Sequence, residues 1–544
     1  MTIPEQTLES LHHVRQTTNP EAPPAPMWLR ILLFFLFATY VAQIATFIIL
    51  GDVWTDEGWH FNDAAMFSQG NIPYRDFFYN RLPVALFAYG TWFKLLGTSL
   101  LKGRILSGLL ALAIWVISFS ISRRLGGWRA AIITAALLTL NPYATYYYST
   151  ISTYSIGSFL LSLAAWSYMF RSKWGRLSHA IPLLLLCLAW GTLYPICHGA
   201  AWTLVFLIYT LRQCRTDKKA RAYAIFSLAL GMLVIGSFFL LSPQRALFDT
   251  ITFNFRLSQF LREFNVADLN FRVMGWLWLQ NFAETIKIYL PIWIILYPAL
   301  FLWIREAFKT NELFVMPRSS STEIFFLAIL TLLNETFYLV APQASPDQRT
   351  YVFPLASVLA GWVCSKTWNS MPASVGRSLS GIAFILLLAF SPLIQHPPPM
   401  ASHPSRSDLT AIRTVGREIN ALVKSDQTIL TFSPAYAAES NRNLIPGLAM
   451  ELFCFYPTWP ESQTSKLGVT NWPQLKEYIR TQTPKAIIID SRVTGDQWQS
   501  RILNPYRDEL LRLTQTHYTL AKNLALKPYI YRGGVDIYFR KGSP

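Results

Sequence analysis

The chain reads as a series of long apolar runs separated by short charged connections. The first run, 31–50, is long enough to cross a bilayer, since a helix rises about 1.5 Å per residue against a hydrocarbon core of about 30 Å. Comparable runs cover 101–122, 130–146, 154–170, 181–194, 196–211, 223–241, 286–304, 324–340, 352–363 and 379–393. With the first they predict about eleven transmembrane helices. The stretch 82–96 is apolar but short and interrupted by Trp92 and Lys94, which suits an interfacial or re-entrant helix. Residues 1–27 are polar and carry Pro20, Pro23, Pro24 and Pro26, as in a disordered tail.

At Gln395 the texture changes. Residues 395–404 form a proline-rich linker, and beyond it the pattern is that of a soluble α/β domain over 405–544. Helical spacing covers 408–423, 472–480 and 497–513. Buried-strand patterns cover 428–432 and 486–489, and 529–532 with 535–539 reads as a hairpin over Gly533-Gly534. The predicted fold class is therefore a polytopic α-helical membrane unit, 28–394, followed by that domain.

Composition agrees: 52% of the 544 residues are hydrophobic and only 14% charged. The net charge of +17 does not indicate nucleic acid, because the basic residues are spread over connections between apolar runs. Four basic turns stand out: Arg123, Arg124 and Arg129; Arg171, Lys173 and Arg176; Arg212 through Arg221; and Arg305, Lys309 and Arg318. Eleven spans place all four on one side, which the positive-inside rule makes the cytoplasm. The N-terminus is then cytoplasmic. The loop 51–100, the loop 243–285, the turn 341–350 and the C-terminal domain are then external. Five cysteines without a Cys-x-x-Cys spacing give neither a disulfide framework nor a zinc site.

Charge is densest just after the first span, where Asp56-Glu57 is followed by Arg75, Asp76 and Arg81. Charge at a membrane edge is costly and marks functional sites. Asp56 could act as general base toward a hydroxyl, or cap a short helix over 57–66. Arg81 and Arg104 could bind phosphate through the guanidinium fork, although Arg104 could instead snorkel at a helix end. The loop 243–285 interleaves Arg245, Arg256, Arg262 and Arg272 with phenylalanines, as a headgroup site or an interfacial helix would. Arg349 and Tyr351 precede the tenth span, and His60 and His198 lie near the expected cavity. No Asp-x-Asp pair, glycine-rich phosphate loop or His-Glu-x-x-His is present, so neither a metal nor any other cofactor is expected.

Asp56-Glu57, then Gly70-x-x-Pro73-Tyr74-Arg75-Asp76 and Arg81-Leu82-Pro83, resembles the GT-C membrane glycosyltransferases, in particular the bacterial protein-mannosyltransferase-like and aminoarabinose-transferase-like group. Lys102 through Gly127, with Arg104 and Arg123-Arg124-Leu125-Gly126-Gly127, also fits that group. The resemblance implies transfer of a sugar from a polyprenyl-phosphate carrier to a lipid, glycan or protein acceptor of the envelope. It implies an external site on the bacterial inner membrane and inversion at the anomeric carbon. Asp56 would be the base with Glu57 beside it. Arg81, Arg104, Arg256 and Arg349 would hold carrier phosphate, and His60, Tyr74, Asp76 and Tyr351 would bind acceptor or sugar. The region Tyr148 through Tyr154 has no acid where many members carry one. The competing functions are an O-antigen ligase or polymerase type of enzyme and a non-catalytic transporter of lipid-linked sugar. The latter would call for paired Gly/Pro-broken spans, and no clear pair is visible.

Overall fold

The computed structural model describes residues 26–256, 320–340, 346–370, 409–494, 500–526 and 534–541, with isolated positions between 279 and 293. The expected spans 286–304 and 379–393, the polar tail up to 25 and the linker 395–404 lie outside the described residues, apart from a few positions in the first of these.

Helix α1, Met27–Leu50, buries only Tyr40, Ile44 and Phe47, a narrow i, i+4, i+7 stripe, and exposes residues such as Phe34, Phe35 and Ile49. An apolar helix with apolar residues facing outward is matched to lipid. Helices α2, Thr55–Ser68, and α3, Val84–Leu96, follow. Helix α4, Leu100–Thr139, is interrupted at Gly127, whose φ of 72° and ψ of −163° are helix-breaking. The two halves run back to back. Thr134 Oγ1 donates to Ser122 Oγ at 2.8 Å, and Trp115 Nε1 to Thr139 Oγ1 at 3.2 Å. In an unbroken helix, residues 24 apart would lie about 36 Å from each other. The sequence had placed two spans here, over 101–122 and 130–146, and the second ends earlier. Asn141 caps a new short helix, α5, Pro142–Ser149, by accepting the Ala144 N–H.

The bundle continues with α6, Thr153–Met169; α7, Ala180–Trp190; α8, His198–Gln213; α9, Lys218–Gly236; and the short α10, Pro243–Leu247. After it come α11, Ser320–Val340, and α12, Phe353–Ser370, which packs along α4. By length and apolarity alone, three described helices could cross a membrane: α1, α4 and α9. Helix α7, expected to span over 181–194, has 11 residues and rises about 16 Å, well short of the bilayer core. Three of the basic turns meet at one end of the bundle. Arg171 and Arg124 both reach Glu323, at 2.9 and 3.8 Å, and Arg176 reaches Asp217 at 3.7 Å.

The C-terminal region folds around a five-stranded sheet of order β2-β1-β3-β5-β4. Its strands are β1, Thr428–Thr431; β2, Asn443–Leu444; β3, Ala486–Ile489; β4, Tyr518–Leu524; and β5, Val535–Arg540. β1 is parallel to β2 and β3, whereas β5 is antiparallel to both β3 and β4. Helix α13, Leu409–Leu422, and helix α14, Pro434–Ser440, pack together beside it. Two sequence expectations change. The strand paired with β5 is Tyr518–Leu524, and the predicted partner 529–532 lies outside the described residues. In place of the predicted helix 497–513 there are two helices, Ser500–Leu503 and Arg507–His517, parted around Asn504-Pro505, and the second runs past the predicted end.

The sheet region rests on the end of the bundle that carries α2. α14 packs on α2, and Asn62 Nδ2 donates to the Ala449 carbonyl at 3.2 Å. Glu439 accepts the Leu100 backbone N–H at 2.7 Å and so satisfies an otherwise open donor at the start of α4.

Candidate active site

Helix α2 starts immediately beyond α1. Asp56 is its second residue rather than its cap, since Trp54 is the N-cap and makes no side-chain cap bond. Both acids of the first turn benefit from the helix dipole. They then diverge. Glu57 points inward. Its Oε1 accepts from Arg104 Nε at 2.7 Å and from the Ile151 N–H at 3.1 Å, and its Oε2 accepts from Arg104 Nη2 at 2.6 Å. The other Arg104 donors satisfy carbonyls at the end of α1: Phe47, Ile48, Gly51 and Asp52, at 3.3, 3.2, 2.8 and 2.7 Å. Neither Glu57 nor Arg104 is exposed. Together they cap α1 and tie it to α2, which leaves Arg104 no donor for a carrier phosphate.

Asp56 keeps 30% of its side chain exposed and faces Arg81, with Oδ2 3.9 Å from Nη2. Its Oδ1 accepts from Trp59 Nε1 at 3.3 Å. Burial raises the carboxyl above the usual aspartate range, against the opposing pull of Arg81 and the Trp59 hydrogen bond.

Arg81 is held by backbone. The Leu82 and Val84 N–H groups donate to the carbonyls of Leu193 and Gly191, at 2.8 and 2.9 Å, on either side of Pro83. This brings 81–84 against the turn after α7, and a Cβ at Gly191 would collide with Val84. Tyr74 adopts a positive φ of 64°, and its hydroxyl donates to the Arg81 carbonyl at 2.6 Å. The guanidinium lies over Tyr194 at 4.6 Å and Trp59 at 5.6 Å. It is 5% exposed, and its Nε has no hydrogen-bond partner among the described residues. A buried cation with an unused donor, an aromatic bed and a carboxylate beyond hydrogen-bond reach is organised for an anion.

A second carboxyl, which the sequence reading missed, joins this group. Asp347, in the turn Pro346–Tyr351, accepts the Tyr154 hydroxyl. Burial pushes it up to about 6; the Tyr154 hydrogen bond opposes this and the charge of Asp56 adds to it. Nothing local marked Asp347 except that it stands beside Arg349 and Tyr351, two residues already singled out. Arg349 pairs with Glu335 at 3.2 Å and lies over Trp293 and Tyr338, while Tyr351 shares a hydrogen bond with Thr153. Tyr154 stacks on Trp54 and contacts Tyr351, which completes an aromatic wall.

His60 packs on Trp59 and borders a small cavity with Tyr79, Tyr89 and Ser152. Burial and then Arg81 hold it well below its ordinary value, so it is neutral. His198 sits among Trp202, Tyr338 and Tyr351. The remaining candidates are not brought together with Asp56. Asp76 pairs with the neighbouring Arg75 at 2.7 Å on the surface, and Arg256 is exposed. Tyr74 spends its hydroxyl on the backbone. Among the described residues no group of three or more His, Cys, Asp or Glu is placed to hold a metal ion.

No protein-family pattern and no curated protein matches the chain. Solved structures do. ArnT from Cupriavidus metallidurans bound to undecaprenyl phosphate superposes with a TM-score of 0.59 at 12% identity, over 95% of this chain and 98% of that one. Its apo form gives 0.59 at 12% identity, over 94% and 97%. The oligosaccharyltransferase of Archaeoglobus fulgidus gives 0.48 at 9% identity, over 93% and 73%. Across nearly its whole length, this chain therefore has the fold of ArnT.

Proposed function

We propose that the protein is a membrane glycosyltransferase that moves a sugar from a polyprenyl-phosphate carrier to an envelope acceptor. Arg81 grips the carrier phosphate and Asp56 takes the proton from the acceptor hydroxyl. One observation carries this reading: the Asp56 carboxylate and the buried Arg81 guanidinium face each other 3.9 Å apart, with a donor of Arg81 unused. The shared fold with a protein whose structure holds undecaprenyl phosphate supports it.

The chemistry needs little more. As the sugar–phosphate bond breaks, charge grows on the phosphate oxygens, and a cation fixed in a water-poor pocket stabilises it without reorganising. Meanwhile the acceptor oxygen attacks the anomeric carbon from the opposite face and loses its proton to Asp56. A single displacement of this kind inverts the anomeric centre. Burial makes Asp56 a stronger base than a solvated aspartate, and the ionised form remains favoured by Arg81. Asp347, Tyr154 and the aromatic wall are placed to orient the acceptor. The site belongs to the external end of the bundle, with the three described basic turns at the cytoplasmic end. The membrane unit covers 28–394 and the external domain 405–544.

The test is transfer from a labelled polyprenyl-phosphate sugar by purified protein. Asp56→Asn is expected to lower kcat about 10²–10⁴-fold, the usual range for a lost general base. Arg81→Ala is expected to raise the KM for the donor at least about tenfold, the order of a lost charge-assisted phosphate contact. Undiminished transfer by Asp56→Asn, or an unchanged donor KM in Arg81→Ala, would overturn the assignment.

A further inference from the structure

The segment that carries Arg81 is anchored on both flanks. Downstream, Leu82 and Val84 bond to the turn after α7. Upstream, residues 75–80 meet α10 and the π-helical turn that follows it, Phe248–Thr252. Asp249, fully buried in that turn, accepts the Tyr79 N–H through Oδ2 at 3.1 Å, two residues before Arg81. Arg245 Nη1 donates to the Arg75 carbonyl at 2.5 Å. Asn254 Nδ2 donates to the Thr250 carbonyl at 2.7 Å and reaches the Asn80 carbonyl at 3.5 Å. Phe78 meets Phe248 and Phe253 edge-on, with ring centroids 6.2 and 5.0 Å away.

The same element also holds the sheet region. Arg245 Nε and Nη2 donate to the Lys466 and Ser465 carbonyls, each at 2.8 Å. Those carbonyls end the helix Glu461–Leu467, where none has a partner within the helix, so the cation closes that end. Phe248 lies against Trp459 and Tyr456, at 6.1 and 6.5 Å, and Phe253 against Phe453 at 6.0 Å. Phe78, Phe248, Phe253 and Tyr456 are buried in one apolar cluster with Trp59, a ring that lies beside the Arg81 guanidinium. One arginine and two phenylalanines therefore tie the sheet region to the loop that leads into Arg81.

Stability alone does not account for Asp249. A buried carboxyl is expensive, and this one bonds a single backbone N–H while its Oδ1 has no partner among the described residues. What the bond does is fix a backbone. A guanidinium fork grips a phosphate only if it is held to within about 0.5 Å of the productive position. Resting on the reading of Arg81 given above, we infer that residues 245–254 are a brace through which the sheet region holds Arg81 in place, so that Arg245 and Asp249 set the affinity for a polyprenyl phosphate. Both are positioning residues: they act through the backbone of 75–80.

The experiment measures binding of undecaprenyl phosphate to the full-length chain in detergent. Asp249→Ala and Arg245→Met are each expected to weaken it about three- to tenfold, the order of one lost hydrogen bond. In an Arg81→Ala background the same changes should alter affinity by less than about twofold, because the group they position is gone. Asp249→Asn keeps a carbonyl oxygen for the Tyr79 N–H and should bind within about twofold of wild type. Melting temperatures show which variants are folded, and Arg245→Met, at a partly exposed position, decides the inference if Asp249→Ala does not fold. Equal losses with and without Arg81 would overturn the positioning role. Asp249→Asn as weak as Asp249→Ala would overturn the Tyr79 bond as the link. Wild-type affinity in Arg245→Met would overturn the part given to the sheet region. Weakened binding in Arg81→Ala with wild-type affinity in both brace variants would overturn the brace alone, whereas undiminished binding in Arg81→Ala would overturn the donor reading and the brace with it.

Discussion

Adjacent acids have opposite fates here. Asp56 and Glu57 were legible in the sequence as a charged pair beyond a span. Their division of labour was not, because the partner of Glu57 is 47 residues away on α4. No local spacing announces that Arg104 will close the end of α1 by donating to four carbonyls there rather than to a carrier phosphate. The distinction is testable by stability. Glu57→Gln or Arg104→Ala strands a buried charge and is expected to cost about 3–5 kcal/mol in thermal or denaturant unfolding. Asp56→Asn, at a partly exposed position, is expected to stay within about 1 kcal/mol of wild type. Equal losses in all three would remove the structural role given to the buried pair. Asp347 escaped the sequence reading for a related reason: it stands alone in its turn, and only the fold brings its charge to bear on Asp56.

Among elements, those with strong local signals were legible. The helix Trp472–Arg480 lies where its periodicity placed it, and its start is fixed by a capping box of Asn471 and Gln474 with proline in the first turn. The strand Ala486–Ile489 is buried throughout and reads as an apolar run. β4 was invisible because most of it is exposed, so no apolar alternation marks it. The helices around the site are fitted closely. In α6, a Cβ at Gly157 would fall inside contact distance of the Tyr351 ring and of Thr192 Oγ1. Gly157→Ala should therefore displace Tyr351 from the aromatic wall and overpack the contact by about 1–3 kcal/mol. The expected readout is a lowered melting temperature together with reduced transfer. An unaltered enzyme would show that this wall tolerates movement.

At the scale of the molecule, the acids and cations of the candidate site come from α2, the loop before α3 and the turn before α12. The sheet region closes over α2 through Asn62, α14 and Glu439. Apolar packing is continuous across that junction: Ala64 and Ala65 share a cluster with Ala435, Ala437 and Ile429. The order of apolar runs foretold a membrane bundle followed by an α/β region, and the resemblance in the first loop foretold the fold. What it could not foretell was that the second region packs against the helix bearing Asp56, since that depends on contacts across almost 400 residues of chain. The most direct test of the account is a structure of the protein with undecaprenyl phosphate. It should place the phosphorus within roughly 4 Å of the Arg81 guanidinium and on the Asp56 side of Tyr194. A phosphate bound instead at Arg256 or Arg349, with the Arg81 guanidinium still unoccupied, would contradict it.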